Sequence, residues 1–323
     1  EISSYRPISL LPVLSKLLEK LLLQRIMRVV LRKEIIPTQQ FGFREGHFTI
    51  DQVHRITDII ETAFEEKKIC SAVFLDVSQA FDKVWHQGLI YKLRCLLPPS
   101  YCNFLESYIT DRFFRIKQQE AYSSLKSINA GVPQGSILGP LLYLLYTSDL
   151  PTTSNCLTAT FADDTALLTT GKTATECSEA LQTAVNSVVR WTKKWRINFN
   201  SLKSVHIDFT TRHQHTPQTL YIEGVPIPYS NTAKYLGMTL DTKLHWKEHV
   251  KKKVRELKLK LSNYYWLLGR KSKVSTFNKI LIYKQVLRPV WTYGIQLWGC
   301  TNQKTILSVQ KFQNRAICLI NYS

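Results

Sequence analysis

A short, unbroken apolar run, Ala72-Val73-Phe74-Leu75, stops at an acid, Asp76. Consecutive apolar residues leave no polar face, so the run reads as a strand buried on both sides. Such a strand lies inside a sheet and delivers Asp76 to the end of it. Leu157 to Thr170 reads as two short strands around Ala162-Asp163-Asp164-Thr165, a hairpin tip 87 residues further on. If the strands are neighbours, Asp76, Asp163 and Asp164 converge. Three carboxylates in one place repel unless a cation neutralises them. Hard divalent ions such as Mg²⁺ take oxygen ligands, commonly one or two carboxylates plus substrate phosphates. Asp is also a favoured turn residue and a natural strand-end cap, so each site taken singly has a structural reading as well.

The surrounding pattern mixes strands and helices without a regular βαβ rhythm, which predicts an α+β fold. Leu14 to Val30 is a leucine-rich amphipathic helix, and Thr49 to Glu65 is a second, with Ile50, Val53, Ile56, Ile60 and Phe64 on one face. The chain is expected to turn helical again from Ser78. Thr173-Ala174-Thr175-Glu176 resembles a capping box opening a helix through Leu181, Ala184, Val185, Val188 and Trp191. Ser204 to Thr210 and Leu220 to Ile227 read as further strands. After Asp241 the composition becomes basic helix: Val250, Val254, Leu257 and Leu261 form one apolar face and lysines occupy the rest. The boundary therefore falls at 241, dividing the chain into 1–240 and 241–323.

Charge narrows the partners. The 323 residues carry 43 Lys plus Arg against 24 Asp plus Glu, a net +19. Residues 241–323 hold 17 of those cations and three acids (Asp241, Glu248, Glu256), a net +14. An excess of this size points to a polyanion partner, either nucleic acid or an anionic membrane, the blander reading being a solvated surface. The seven cysteines are scattered with no CxxC pair, which argues against a disulfide framework and against a zinc module within these residues and suits a reducing compartment. The longest apolar stretch, Ile137 to Tyr146, is about half the length a bilayer needs; no membrane partner is expected. The chain starts Glu1-Ile2-Ser3-Ser4 with no initiator Met or signal pattern, and is expected to be a piece of a longer reading frame. Nothing in the residues indicates an oligomeric state.

The motifs in order are Tyr5-Arg6-Pro7-Ile8-Ser9-Leu10, Gln40-Phe41-Gly42-Phe43-Arg44 and Phe74-Leu75-Asp76-Val77-Ser78-Gln79-Ala80-Phe81-Asp82-Lys83-Val84. Gly131-Val132-Pro133-Gln134-Gly135-Ser136-Ile137-Leu138-Gly139-Pro140, Phe161-Ala162-Asp163-Asp164, Leu202-Lys203-Ser204 and Tyr235-Leu236-Gly237 follow. This series closely resembles the reverse transcriptases of LINE-type retrotransposons, which lack long terminal repeats, and the jockey group in particular. The likeness extends to Trp291-Thr292-Tyr293-Gly294-Ile295-Gln296-Leu297-Trp298-Gly299 near the end.

The resemblance implies a right-hand polymerase: N-terminal fingers, a palm with a ferredoxin-like antiparallel sheet covered by helices on one face, and a helical thumb. It implies an RNA-directed DNA polymerase that joins a dNTP to a primer 3′-hydroxyl with two Mg²⁺ ions, Mn²⁺ being a substitute. Asp76, Asp163 and Asp164 match its catalytic aspartates, with the Val77 carbonyl an additional metal ligand. Phe81 matches the steric gate that excludes a 2′-hydroxyl, although by itself it reads first as a core aromatic on a helix. Gln134 and Gly135 match the loop that touches template and nucleotide, and Lys203 the lysine beside the leaving pyrophosphate. Arg44 is a candidate triphosphate contact, or a brace within the fingers; Arg6 lies in another finger motif. Tyr235, Leu236 and Gly237 match the primer grip. Asp82 is assigned a structural role. The implied partners are template RNA, primer DNA and dNTP, with the RNA–DNA hybrid tracked by the basic thumb. Trp246, Trp266, Trp291 and Trp298 are expected chiefly to pack in the core. The implied location is intracellular: a cytoplasmic ribonucleoprotein, then the nucleus during insertion. The chain departs from the pattern at Phe48, where the family has a small hydroxyl residue, and nothing here supplies the family's upstream endonuclease domain. A binding remnant without activity and an RNA-copying RNA polymerase are the alternatives.

Overall fold

A computed structural model describes residues 8–77, 79–212 and 216–321. Tyr5, Arg6, Pro7 and Ser78 thus lie outside the described residues. The first half runs α1 (Val13–Arg32), α2 (Thr49–Glu65), β1 (Ile69–Leu75), α3 (His86–Leu96) and α4 (Pro99–Ile109). Four two-residue strands follow, β2 (Phe113–Phe114), β3 (Lys117–Gln118), β4 (Ala121–Tyr122) and β5 (Lys126–Ser127), then α5 (Gly139–Thr147). The centre continues with β6 (Leu157–Phe161), β7 (Asp164–Gly171), α6 (Ala174–Trp195) and β8 (Val205–Phe209). Two small hairpins, β9 (Tyr221–Ile222) with β10 (Val225–Pro226) and β11 (Thr232–Tyr235) with β12 (Met238–Asp241), lead to α7 (Lys247–Asn263). Short helical turns then connect to α8 (Gln303–Asn321).

The main sheet is antiparallel with order β6-β7-β1-β8. Numbering its strands in chain order gives second, third, first, fourth, and helices connect first to second and third to fourth. That is the ferredoxin-like arrangement. All seven residues of β1 are buried, as an apolar run in a central strand requires.

Helices cover both faces of the sheet, not one. On one face Cys70, Ala72 and Phe74 pack against Val53, Ile56 and Ile60 of α2. On the other, Val73, Leu75 and Leu167 pack against Leu181, Val185 and Val188 of α6. The physical reason is in β1 itself: side chains alternate across a strand, and both of its alternating sets are apolar. Each fully buried aliphatic side chain contributes about 1.5–3 kcal/mol, so neither face is left to water.

Around α5 a second core gathers Leu141, Leu142 and Tyr146 with Leu89, Leu93 and Leu105 from α3 and α4. The amphipathic α1 turns an unexpected face inward. Leu14, Leu17, Leu18 and Leu21 are exposed, whereas Glu19 is buried. Its carboxylate accepts the N–H groups of Ile137 and Leu138 and the hydroxyl of Tyr108. The approach to α5 thus dictates the orientation of α1, because those amides have to be satisfied.

The stretch after Asp76 is not helical: residues 79–83 form a turn and helix starts only at His86. Gln79 sits at φ +54° and its carbonyl takes the N–H of both Asp82 and Lys83. The turn is locked by these two bonds before a helical ladder can start. Leu220–Ile227, expected as one strand, is the β9–β10 hairpin, broken at Glu223 and Gly224, both at positive φ. Thr173 does cap α6, accepting from Glu176 N, while the Glu176 carboxylate reaches back to Lys172 N. Phe48 precedes α2 with its side chain exposed, and its N–H donates to Asp51.

Val250, Leu257 and Leu261 of α7 are buried. Trp246 and Trp298 pack in the core, while Trp266 is exposed. The core on the α2 side of the sheet runs across residue 241: Leu240, Leu244, Trp246 and Val250 all join it.

Candidate active site

Asp76 follows β1 directly. Its peptide is held from the β8 side: Asp76 N donates to Ser204 Oγ at 3.2 Å, and Asn200 N donates to the Asp76 carbonyl at 2.9 Å. Ser204 Oγ in turn donates to the Asn200 carbonyl, so the turn from Asn200 to Ser204 grips the end of β1. An antiparallel bridge continues to Val77 and Phe199.

Asp163 and Asp164 stand at the adjoining strand end. Leu75 pairs with Thr165, so Asp76 and Asp164 lie one step past the last pair of neighbouring strands, which run about 4.8 Å apart. Phe161 pairs with Asp164, leaving a two-residue loop of Ala162 and Asp163. Ala162 is at φ +57°, a conformation a residue with a Cβ resists.

One side chain holds that turn. Buried Gln40 accepts the N–H of Ala162 at 2.9 Å and of Gly42 at 2.8 Å through Oε1, and its Nε2 donates to the Ala162 carbonyl at 3.3 Å. The backbone at Gly42 lies so close that a Cβ there would come within 2.2 Å of Ala162 N. Phe41 N to Thr160 O (2.9 Å) and Thr160 N to Gln39 O (3.0 Å) stitch the same segment along the edge of β6. The glutamine motif is thus a clamp on the aspartate hairpin.

The carboxylates sense one another. Burial first, then Asp163 and Asp76, push the Asp164 carboxyl up to about 6, against a downward pull from Lys234. Its side chain still meets water, which screens part of this repulsion. The donors are hard oxygens and their mutual repulsion is what a divalent cation relieves, so the residues fit such an ion. Among the described residues no group of three or more His, Cys, Asp and Glu side chains is gathered as a ready metal cage. The fit therefore rests on carboxylates supplemented by the Val77 carbonyl, water and substrate phosphates, as Mg²⁺ sites commonly are.

Other candidates surround this point unevenly. Phe81 stacks on Tyr143 of α5 at 4.6 Å between centroids and meets Phe43 edge-on at 6.0 Å. The Tyr143 hydroxyl is buried and pushed up by that burial and next by Asp163, so this aromatic floor lies beside the acids. Gln134 Nε2 donates to Asp82 at 2.7 Å, and the Gln134 carbonyl accepts from Ser9 N. Gly135 is at φ +97°, and a Cβ there would sit 2.9 Å from the Ser9 carbonyl. Arg44 Nη1 donates to the carbonyls of Pro37 and Gln40, bracing the finger loop. Lys203 rides the Asn200–Ser204 turn with an exposed side chain.

Leu236 and Gly237 form the tip of the β11–β12 hairpin, both at positive φ. The Tyr293 hydroxyl donates to the Leu236 carbonyl at 2.6 Å, and Tyr235 packs on Phe74 below. Sequence reasoning missed Gln40 as a clamp, Asn200 and Ser204 as holders of Asp76, Tyr143 as a floor and Lys234 as a counter-charge. Gln40 and Ser204 stood inside recognised motifs, but only their partners in space reveal what they do.

A family model described as reverse transcriptase (RNA-dependent DNA polymerase) matches residues 1–240. The probable RNA-directed DNA polymerase from transposon X-element of Drosophila melanogaster is 42% identical over 325 residues, covering 99% of this chain and 36% of its own. The RNA-directed DNA polymerase from mobile element jockey of the same organism is 36% identical, covering 98% of this chain and 35% of its own. The chain thus spans about a third of the length of these relatives. Among solved structures, telomerase from Candida tropicalis in complex with a fragment of telomeric RNA aligns over 96% of this chain and 57% of its own, at 12% identity and a TM-score of 0.49. With the model matched over most of its length, the chain belongs to the reverse transcriptase (RNA-dependent DNA polymerase) family.

Proposed function

We propose that this chain is the RNA-directed DNA polymerase of a retrotransposon lacking long terminal repeats, extending a primer 3′-hydroxyl with dNTPs on an RNA template. The observation that carries this reading is geometric: Asp76 and Asp164 lie one step past the Leu75–Thr165 pair at the adjoining ends of two paired strands, with Asp163 in the two-residue loop beside them. Acids held together at such a cost in repulsion serve to bind cations. Asp76, Asp163, Asp164 and the Val77 carbonyl hold two Mg²⁺ ions, with Mn²⁺ as a substitute. Bound there, the ions supply positive charge that favours the attacking alkoxide and neutralises the triphosphate.

The chain's own residues do the positioning. Gln40 and the Asn200–Ser204 turn fix the two strand ends that present the acids. Phe81, backed by Tyr143, presents a ring under the sugar and excludes a 2′-hydroxyl. Gln134 and Gly135 face template and nucleotide, while Arg44 and Lys203 supply positive charge for the phosphates. Tyr235, Leu236 and Gly237 support the primer end. Residues 1–240 serve as fingers and palm, and 241–323 as a thumb whose lysines follow the hybrid's phosphates in a salt-sensitive manner. The place of action is a cytoplasmic ribonucleoprotein followed by the nucleus.

The test is primer extension by the purified chain on poly(rA)/oligo(dT) across a Mg²⁺ titration. Metal-dependent synthesis that disappears in Asp163→Asn supports the reading; synthesis unaffected by that substitution overturns it. Comparing dNTP with rNTP separates it from an RNA polymerase, and Phe81→Ala is expected to admit rNTPs.

A further inference from the structure

Between α4 and the Gln134 loop the chain makes an excursion that buries nothing. Every residue from Phe113 to Ser127 is exposed. Yet the segment carries Phe113, Phe114, Ile116, Tyr122 and Leu125, all large and apolar, with Phe113 at 60% and Tyr122 at 51% exposure. The only acid between Arg112 and Lys126 is Glu120, against Arg112, Arg115, Lys117 and Lys126. Two short ladders shape it into a double hairpin: Phe113 opposite Ser127, and Lys117 opposite Tyr122. Arg115 lies 4.3 Å above the Tyr122 ring and Lys117 lies 5.3 Å from it.

Exposed apolar patches of this kind mark interaction sites. Cations interleaved with unburied rings are what a flexible single-stranded nucleic acid needs: bases stack on the rings and the cations follow the phosphates. A protein partner would not call for an almost wholly positive patch. The root of the hairpin leads to the site already described. A groove of about 390 Å³ runs from Phe114 and Arg112 past Gly131 to Gln134 and Asp82. Ile128 N to Arg112 O (2.8 Å) closes the base, and Val132 N to Phe81 O (2.8 Å) ties the strand leaving it to the gate residue.

We propose that the 112–127 hairpin is a stacking platform for the unpaired template strand beside the nucleotide site. This rests on the polymerase reading for the identity of the strand, but not for the binding itself. Phe113 and Tyr122 stack on bases; Arg115 and Lys117 hold phosphates.

The test uses the purified chain, a fluorescein-labelled oligouridylate and anisotropy across a salt series. Phe113→Ala with Tyr122→Ala is expected to weaken binding about tenfold or more. Arg115→Ala with Lys117→Ala is expected to lower the salt slope by about 1.4, the value for two single-strand phosphate contacts. Both variants keep the parent's thermal midpoint, since none of these side chains is buried. On a primed template whose overhang is too short to reach the hairpin, both extend as the parent does. Unchanged affinity and salt slope overturn the proposal, as does retained affinity with a shift from dimer to monomer in sedimentation, which assigns the patch to a second copy. If the variants lose binding while the parent extends no primer, the platform stands and the polymerase reading fails.

Discussion

Two hairpins of this molecule differ in how they are held. The aspartate hairpin, Phe161 to Asp164, has a strained two-residue loop, yet Gln40 saturates the backbone at Ala162 and Gly42 packs directly against it. The 113–127 hairpin is longer, wholly exposed and joined by two short ladders and a few single bonds, Ser123 N to Ile116 O and Ile116 N to Ser123 Oγ among them. Strained backbone persists only where its surroundings over-determine it, as they do at the aspartate loop. The β11–β12 tip belongs with the first kind: Leu236 at φ +46° is fastened by Tyr293 from the C-terminal helical region.

The largest expected effect breaks the first hairpin's purpose while leaving its geometry. Asp163→Asn keeps shape and size but removes a charge, and is expected to lower the extension rate about a thousandfold, the scale of several kcal/mol. Next comes the clamp. Gln40→Leu leaves the Ala162 and Gly42 amides unpaired, and a shift of about 1 Å in the turn is expected to reduce kcat on the order of a hundredfold. A rate within a few-fold of the parent would mean the strand pairing alone holds the turn.

The β11–β12 hairpin carries a pH-sensitive fastening. His249 Nδ1 accepts the Thr239 N–H at 3.1 Å, so the ring must be neutral there. Burial first, then Lys253 and Lys252, lower its pKa to about 4. The unfolded chain, with an ordinary value of about 6.5, takes up the proton first as pH falls. Stability is therefore complete above about pH 6.5 and declines toward 4, by about 2 kcal/mol between 6.5 and 5. Denaturant melts across that window check this, and His249→Gln is expected to flatten the slope. Tyr293→Phe, which deletes the partly buried hydrogen bonds of the hydroxyl to the Leu236 carbonyl and to Thr49 Oγ1, is expected to cost about 1–2 kcal/mol, read as a fall in the denaturation midpoint. The smallest change belongs to the free hairpin: Phe113→Ala with Tyr122→Ala is expected to move stability by no more than about 0.5 kcal/mol. A larger loss would show that this hairpin too is held by contacts of its own.

Much of the architecture was legible because it is written in local pattern. The apolar run of β1 and the periodicity of α2, α6 and α7 follow from which side chains avoid water. The aspartates were legible because they sit at strand ends inside extended motifs. What was not legible depends on residues far apart meeting. Nothing in the run from Ser78 shows that Gln79 adopts a left-handed conformation and postpones the helix to His86. Nothing in Leu14 to Val30 shows that Glu19 is the inward residue, because the amides it satisfies lie 118 residues away. The second helical layer over the sheet was missed although β1 carries apolar residues on both alternations.

By itself the sequence determined the strands β1, β6, β7 and β8 and the helices α1, α2, α6 and α7, the acids that end two of the strands, and the surplus of positive charge, since these depend on side-chain polarity and short-range sterics. Only the tertiary structure decided that Gln40 grips the aspartate turn, that Asn200 and Ser204 grip the end of β1, and that 113–127 is left open to solvent. Hydrogen bonds and burial between distant segments are set by packing, and packing is a property of the whole chain at once.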